Sequence, residues 1–184
     1  MVEAENKFNY LPGLIKNTRK SRIEAERRLL RLDALSKHAS VYYACLTALL
    51  SLSSVFLDYK GLPFLSVASA VVVAICTVYA STQNYGVRAE QMKECYIELQ
   101  KLLLKLDDKR TLEDGEAQEV ANQVGECYVE IIRRTENHLL RDYLLATGSN
   151  NETKEQLRWF ALRVCVYVVP VLVAFVFSWA VWSF

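Results

Sequence analysis

Three apolar stretches, each long enough to cross a lipid bilayer, lie in a chain of only 184 residues. They cover residues 40–57, 62–80 and 164–184, and none of them contains an Asp, Glu, Lys or Arg. A helix of about 20 apolar residues spans the hydrocarbon core of a bilayer. Only a segment that satisfies its own backbone hydrogen bonds can do so, which favours helices. The sequence therefore predicts an all-α integral membrane protein.

The distribution of basic residues predicts how the chain crosses the membrane. Residues 1–39 carry nine Lys or Arg against five Asp or Glu, whereas the link at 58–61 carries one Lys. Basic residues near the ends of spans stay on the cytoplasmic side. We therefore expect a cytoplasmic N-terminus, an external turn at 58–61 and a third span that leaves the cytoplasm again. Arg158 and Arg163, which precede the third stretch, agree with this direction.

Outside the apolar stretches the sequence predicts long helices, because glycine and proline are sparse there and no strand pattern is visible. The first helix is expected to begin near Leu14 and to run unbroken into the first span. The second span is expected to continue to about Asp108, a returning helix to cover 116–146, and the last helix to begin near Glu152. The predicted segments are a cytoplasmic basic helix at 1–39, a two-span transmembrane hairpin at 40–80, a cytoplasmic antiparallel helical hairpin at 81–150, and a linker with a third, C-terminal transmembrane helix at 151–184.

The helix that follows the second span carries an apolar seam with alternating steps of four and three residues. The seam consists of Tyr85, Ala89, Met92, Tyr96, Leu99, Leu103 and Leu106. A heptad seam of this length calls for a partner helix, as in a coiled coil. The returning helix at 116–146 offers a broad apolar face that suits two neighbours, either the first cytoplasmic helix or another subunit. We therefore take five seam residues as assembly candidates: Met92, Tyr96, Leu99, Leu103 and Leu106.

Small polar residues recur on one face of each of the first two spans. The candidates for lining a path are Thr47, Ser51 and Ser54 in the first span and Ser66 and Thr77 in the second. One interpretation is close packing of helices through small residues. The other is that these faces line a water-filled path in an oligomer. The absence of charged residues in the spans argues against a proton-coupled transporter, which usually carries ionisable groups there.

No motif for catalysis or phosphate binding is present: there is no GxSxG, no HExxH and no glycine-rich loop. His138 and Asp142 lie four residues apart on the predicted helix, but a single pair is too few ligands for a metal site. These residues fit either a polar network or subunit contact, or a contact to a small ligand. We expect no enzymatic activity, no cofactor, no metal and no nucleic-acid partner.

The order of the segments resembles that of the SLATT proteins, two-transmembrane effector domains found beside nucleotide-second-messenger enzymes in bacterial conflict systems. A basic helix, RIEAERRLLRLDALSKHA, runs into a two-span hairpin, and a helical hairpin with ENHLLRDY near its end follows. The resemblance covers roughly residues 14–146, and the third span is additional to the two-span plan. The polar residues that carry it are Arg22, Glu26 and Arg27 before the first span and Asn137, His138 and Asp142 in the late motif, together with the apolar Leu29.

The resemblance implies a homo-oligomeric effector of a bacterial antiphage system that forms a pore in the inner membrane or disrupts it. Its trigger would be a nucleotide second messenger or a cytosolic sensor protein. The alternative is a non-conducting membrane anchor or scaffold that recruits a cytosolic partner through the helical hairpin.

Overall fold

The computed structural model describes residues 2–56, 61–108, 114–148, 152–168 and 171–172. Within these ranges all regular structure is helical, which confirms the predicted all-α fold. The helices are α1 (Val2–Phe56), α2 (Gly61–Thr82), α3 (Tyr85–Asp108), α4 (Asp114–Arg134), α5 (Leu140–Ala146) and α6 (Glu152–Tyr167). The start of α6 confirms the predicted beginning of the last helix near Glu152.

The chain divides into two compact units. The helical unit comprises residues 1–30 and 85–151, and the span unit comprises residues 31–84 and 152–184. One boundary falls inside α1, so this helix belongs to the helical unit up to Leu30 and to the span unit from Arg31 onward.

The N-terminal boundary predicted for α1 was wrong. The helix begins at Val2 rather than near Leu14, and Pro12 lies inside it. Proline lacks a backbone N–H and normally disfavours a helix interior. Leu11 and Ile15, on either side of Pro12, are buried against other helices, and this burial offsets the lost hydrogen bond.

In the helical unit α3 packs against both α1 and α4. One apolar cluster contains Leu11 and Ile15 of α1, Cys95, Leu99, Leu102 and Leu106 of α3, and Ala121 and Val124 of α4. A second contains Ala25 and Leu29 of α1 with Ala89 and Met92 of α3. The first helix is thus a partner of the α3–α4 hairpin within the same chain. The heptad predicted Tyr96 and Leu103 at the buried positions, but Cys95 and Leu102, one residue earlier, are the buried ones. Because α3 packs against both α1 and α4, more of its surface is covered than a single partner would cover.

Two predicted long helices are interrupted, contrary to expectation. Asn84, with φ of 48°, separates α2 from α3. Asparagine adopts this left-handed conformation more readily than most residues, so it allows a break that hydropathy does not reveal. The returning helix ends at Arg134 and resumes at Leu140. The elbow between them, residues 135–139, contains part of the motif ENHLLRDY and is described below.

Two helical segments of the described chain, Tyr10–Phe56 and Gly61–Asp107, each contain a stretch long and apolar enough to cross a membrane. Large apolar side chains of α2 are more than half exposed: Val67, Val71, Val72, Ile75 and Val78. Exposed apolar surface on this scale is expected where lipid is the solvent.

Helix α6 runs parallel to α1 in the span unit. The guanidinium of Arg31 lies 5.9 Å from the centre of the Trp159 ring, and the rings of Tyr42 and Tyr167 are 5.3 Å apart, edge to face. The Tyr43 hydroxyl also donates to the carbonyl oxygen of Val166. Because later residues of α6 meet later residues of α1, the two helices point in the same direction.

Candidate functional site

The elbow at residues 135–139 is shaped by hydrogen bonds that replace those of a continuous helix. The backbone carbonyl of Glu136 accepts a hydrogen bond from Nη1 of Arg22. Leu139 is extended, with φ of −75° and ψ of 152°, and its N–H donates to Oδ2 of Asp142 at 3.0 Å. A carboxylate in the first turn satisfies a free helix N–H and favours the positive end of the helix dipole. Asp142 therefore starts α5 where a longer helix was expected.

Asp142 is fully buried and forms a two-pronged ion pair with α1. Arg28 donates from Nε to Oδ1 at 3.0 Å and from Nη2 to Oδ2 at 3.1 Å. With the Leu139 N–H, three donors serve one carboxylate. Such pairing is needed to hold a buried charge, because removal from water is costly for an unpaired ion. The pair fixes α5 to α1.

A second fully buried charge, Arg22, lies beside the same elbow. Besides the Glu136 carbonyl, its Nη1 contacts Sδ of Met92 at 3.4 Å, while its Nε has no hydrogen-bond partner among the described residues. The carboxylate of Glu136 accepts from Nε of Arg88 at 3.0 and 3.1 Å. Glu136 thus connects the elbow to α1 through its backbone and to α3 through its side chain. We call Arg22, Arg28, Arg88, Glu136 and Asp142 the arginine cluster.

His138 lies in the elbow, and its surroundings favour the neutral imidazole. Burial lowers the pKa of His138 below its usual 6.5, and the positive charge of Arg22 lowers it further, against the opposing effect of Asp142. Its ring stacks on Tyr143, with centroids 6.4 Å apart, and its Nδ1 is buried without a hydrogen-bond partner in the described part of the chain. A cavity of about 420 Å³ adjoins it, lined by Tyr10, Gly13, Leu14, Asn17, Thr18, His138 and Tyr143.

The structure brings together three of the six motif residues predicted from sequence: Arg22, His138 and Asp142. Asn137 is in the elbow but exposed. Arg27 is exposed and pairs with Glu24 at 2.7 Å on its own helix. The side chain of Glu26 points toward α3 instead. Burial raises the pKa of Tyr96 on that helix, and the charge and hydrogen bond of Glu26 raise it further.

Sequence reasoning missed Arg28, Arg88 and Glu136. Glu136 lies within the quoted motif ENHLLRDY, and Arg28 within the quoted basic helix, so both were visible as residue types. Nothing in a helical pattern identifies which of several adjacent arginines faces a distant carboxylate. Arg28 and Asp142 are 114 residues apart in sequence, and only the packing of α5 on α1 pairs them.

Of the assembly candidates, Met92, Leu99 and Leu106 are buried in the core of the chain itself. Tyr96 and Leu103 are half-buried. A role of these residues in contacts between subunits stays a prediction, and the intrachain core accounts for three of the five.

The polar residues of the spans meet across the α1–α2 hairpin. The hydroxyls of Ser51 and Ser66 are 2.5 Å apart, and those of Thr47 and Ser69 are 3.4 Å apart. We call these four residues the hydroxyl seam. Ser54 donates to the carbonyl of Ser51 at 2.7 Å, and Thr77 is exposed. The seam is the arrangement expected of helices that pack through small residues, and the lining of a path by these side chains stays a prediction.

A family model described as "SMODS and SLOG-associating 2TM effector domain family 5" matches residues 4–184. The chain belongs to this family. The family is the SLATT family that the basic helix and the late motif resemble, so the resemblance is confirmed. No curated protein and no solved structure was found to match the chain.

Membership of the SLATT family and the two apolar helical stretches identify a membrane protein, an effector domain associated with SMODS and SLOG conflict systems. The first two predicted spans lie in α1 and α2, the two described helices that are long and apolar enough to cross a membrane. The third predicted span begins in α6 at Val164, and most of it lies outside the described residues. It stays a prediction.

Proposed function

We propose that this SLATT chain is a homo-oligomeric, non-enzymatic effector that permeabilises the bacterial inner membrane when a nucleotide or protein partner triggers it. The observation that carries the proposal is the outward display of large apolar side chains along α2, in a chain whose family is described as a two-transmembrane effector. Val71 and Ile75, for example, are 53% and 65% exposed. Such a surface requires lipid or other copies of the span to cover it.

The hydroxyl seam supplies the polar atoms that a path through the membrane would need. In the single chain these hydroxyls satisfy one another, as at Ser51 and Ser66. A path lined by them therefore requires the α1–α2 contact to open, so that water or a neighbouring copy replaces each hydrogen bond. Ser54 and Thr77 make no hydroxyl contact across the hairpin within the described residues, and they could face a path without that rearrangement.

The arginine cluster is well placed to receive a trigger. It holds the elbow to α3 through the exposed pair Arg88–Glu136 and holds α5 to α1 through the buried pair Arg28–Asp142. Removal of one partner from the buried pair is costly. Because α1 continues without a break into the first span, a change in the contacts of Arg22 or Arg28 acts on the same helix that enters the membrane. A partner that competes for these contacts would favour a different packing of that helix.

The test is to express the full chain in bacterial cells and to reconstitute it in vesicles, measuring membrane potential and dye leakage together with oligomer size. We expect loss of potential in cells and leakage that rises with protein density. Ser54→Leu should reduce leakage while the protein still inserts and assembles, because hydrophobic constrictions dewet narrow paths.

Ser66→Leu provides the comparison, since Ser66 is buried in the hairpin and leucine there should disturb assembly itself. Leakage from Ser54→Leu at the level of the original chain would exclude Ser54 from the path. Intact membrane potential and no leakage at any protein density would contradict permeabilisation.

The second candidate function is a non-conducting anchor or scaffold, and the hydroxyl seam favours it. The small polar residues of the hairpin already hydrogen-bond to one another, so their hydroxyls need no water from a pore as partners. In that case the helical unit would bind a cytosolic partner. Membrane integrity on expression, with a partner retained by the helical unit, would support this function over permeabilisation.

A further inference from the structure

The first half of α6 carries an exposed apolar stripe at the level where charged sequence gives way to a span. Leu157 and Phe160 are 66% and 65% exposed, and Ala161 is exposed beside them. At 100° per residue these side chains share one side of the helix with Val164 and Val168. The opposite side is occupied: Trp159 lies under Arg31, and Val166 accepts a hydrogen bond from Tyr43.

Contacts with α1 locate this stripe relative to the first apolar stretch. Trp159 is level with Arg31, and Tyr167 is level with Tyr42, just inside the first apolar stretch. Residues 159–163 therefore lie beside α1 residues 31 to about 37, on the charged side of the first apolar stretch, which starts at residue 40. Tyr42, Tyr43 and Tyr167 form an aromatic group at the start of the apolar stretch, and Trp159 lies about 12 Å before it along α6. Tryptophan and tyrosine are both typical of a membrane–water interface.

Two arginines flank the stripe. Arg158 and Arg163 project roughly 110° to either side of its centre, by helix geometry. Both are exposed, and neither has an ion-pair partner among the described residues. In the helical unit, by contrast, Arg28, Arg88 and Arg134 are all paired with carboxylates. In the part of the chain that the structure describes, no carboxylate balances the charge of Arg158 or Arg163.

We propose that Arg158, Arg163 and the apolar stripe form a binding surface for anionic phospholipid headgroups. The guanidinium groups would bind lipid phosphates, for which their planar donor geometry is suited, while Leu157 and Phe160 lie beside them in the headgroup layer. Basic residues near an anionic leaflet each contribute to lipid affinity, and the attraction falls with salt. The surface sets a preference for lipid type and does not depend on whether the chain conducts.

The experiment uses the full chain with Trp179→Phe and Trp182→Phe, which leaves Trp159 as the sole tryptophan. The protein is reconstituted in mixed vesicles of phosphatidylcholine and phosphatidylglycerol, in which one lipid or the other carries a nitroxide quencher near the headgroup. The ratio of quenching by the two labelled lipids measures the preference of the surface around Trp159. We expect preference for phosphatidylglycerol, weakened by salt.

Arg158→Gln with Arg163→Gln should reduce the preference roughly tenfold, because two headgroup cations are lost. The matched control, Lys101→Gln with Arg133→Gln, removes the same charge from exposed positions of the helical unit and should leave the preference unchanged. Arg158→Lys with Arg163→Lys should retain most of it. If the glutamine variant fails to insert, the proposal is tested by two other measurements: the preference of the original chain should fall with salt, and the lysine variant should retain most of it.

Three results would overturn the proposal. The first is equal quenching by the two labelled lipids in the original chain. The second is an unchanged preference in the glutamine variant. The third is abolition of the preference by millimolar inorganic phosphate at constant ionic strength, which would indicate a site for a free anion instead of a lipid surface.

Discussion

Asp142 shows how a single carboxylate can determine local structure. It has no exposed surface, and two nitrogens of Arg28 and the N–H of Leu139 donate to it. The same atoms end the elbow, begin α5 and attach α5 to α1. Isolated ion pairs on a surface contribute little, but removal of one partner from a buried pair leaves a charge that is neither hydrated nor balanced.

Asp142→Asn is therefore expected to lower the free energy of unfolding of the helical unit by about 3 kcal/mol, since it leaves Arg28 without a counter-charge. Thermal or denaturant unfolding in detergent, followed by circular dichroism, measures the change. Arg27→Gln is the control, because Arg27 is exposed and its pair with Glu24 should contribute no more than about 0.5 kcal/mol. Equal stabilities of the two variants would contradict the structural importance of the buried pair.

His138 predicts a dependence of stability on pH. Burial and the charge of Arg22 lower its pKa in the folded chain below 6.5, so the unfolded chain binds more protons between the two values. Stability should consequently fall as the pH is lowered through about 6.5 toward the folded pKa, and this slope should end below it. Melting temperatures across this range test the slope, and His138→Gln should flatten it. An equally steep slope in the variant would assign the dependence to other groups.

At the scale of elements, α3 is the helix on which the helical unit is built. Its buried residues face α1 on one part of the surface and α4 on another. The heptad pattern identified Ala89, Met92, Leu99 and Leu106 correctly as an apolar face. It could not indicate that Cys95 and Leu102 are buried. A heptad seam describes the strip of a helix that faces one partner, whereas α3 packs against two helices and a wider part of its surface is covered.

Leu99 and Leu104 provide a matched pair on this helix. Leu99 is fully buried, whereas Leu104 is 60% exposed. Leu99→Ala should destabilise the unit by about 3 kcal/mol through lost burial and the cavity that remains, and Leu104→Ala by less than about 1 kcal/mol. Chemical denaturation of both variants checks the difference. A large loss from Leu104→Ala would show instead that this face is covered in the assembled protein.

At the scale of the whole molecule, the excess of basic residues before the first span predicts a cytoplasmic N-terminus. In a chain whose native cysteines are replaced by alanine, Lys60→Cys should react with an impermeant thiol reagent in intact cells. Lys101→Cys, in α3, should react only after permeabilisation. Labelling in the opposite order would reverse the assigned orientation.

The sequence by itself determined that this protein is helical, that it belongs in a membrane and which family it resembles. Those properties follow from length, hydropathy and local motifs, which act over a few helical turns and can be recognised without knowing any distant contact. The apolar face of α3 and the start of α6 are of this kind. So is the basic segment before the first span, which is continuous in α1 as expected.

Only the tertiary structure decided where the long helices are interrupted, at Asn84 and at the elbow, and which polar groups meet. The elbow at residues 135–139 exists because Arg22 and Arg28, more than a hundred residues earlier in the chain, bind its carbonyl and the carboxylate that follows it. The pairing of Ser51 with Ser66 likewise depends on how α1 and α2 face each other. Helical periodicity places a residue on one side of its own helix, whereas its partner depends on the packing of all the neighbours.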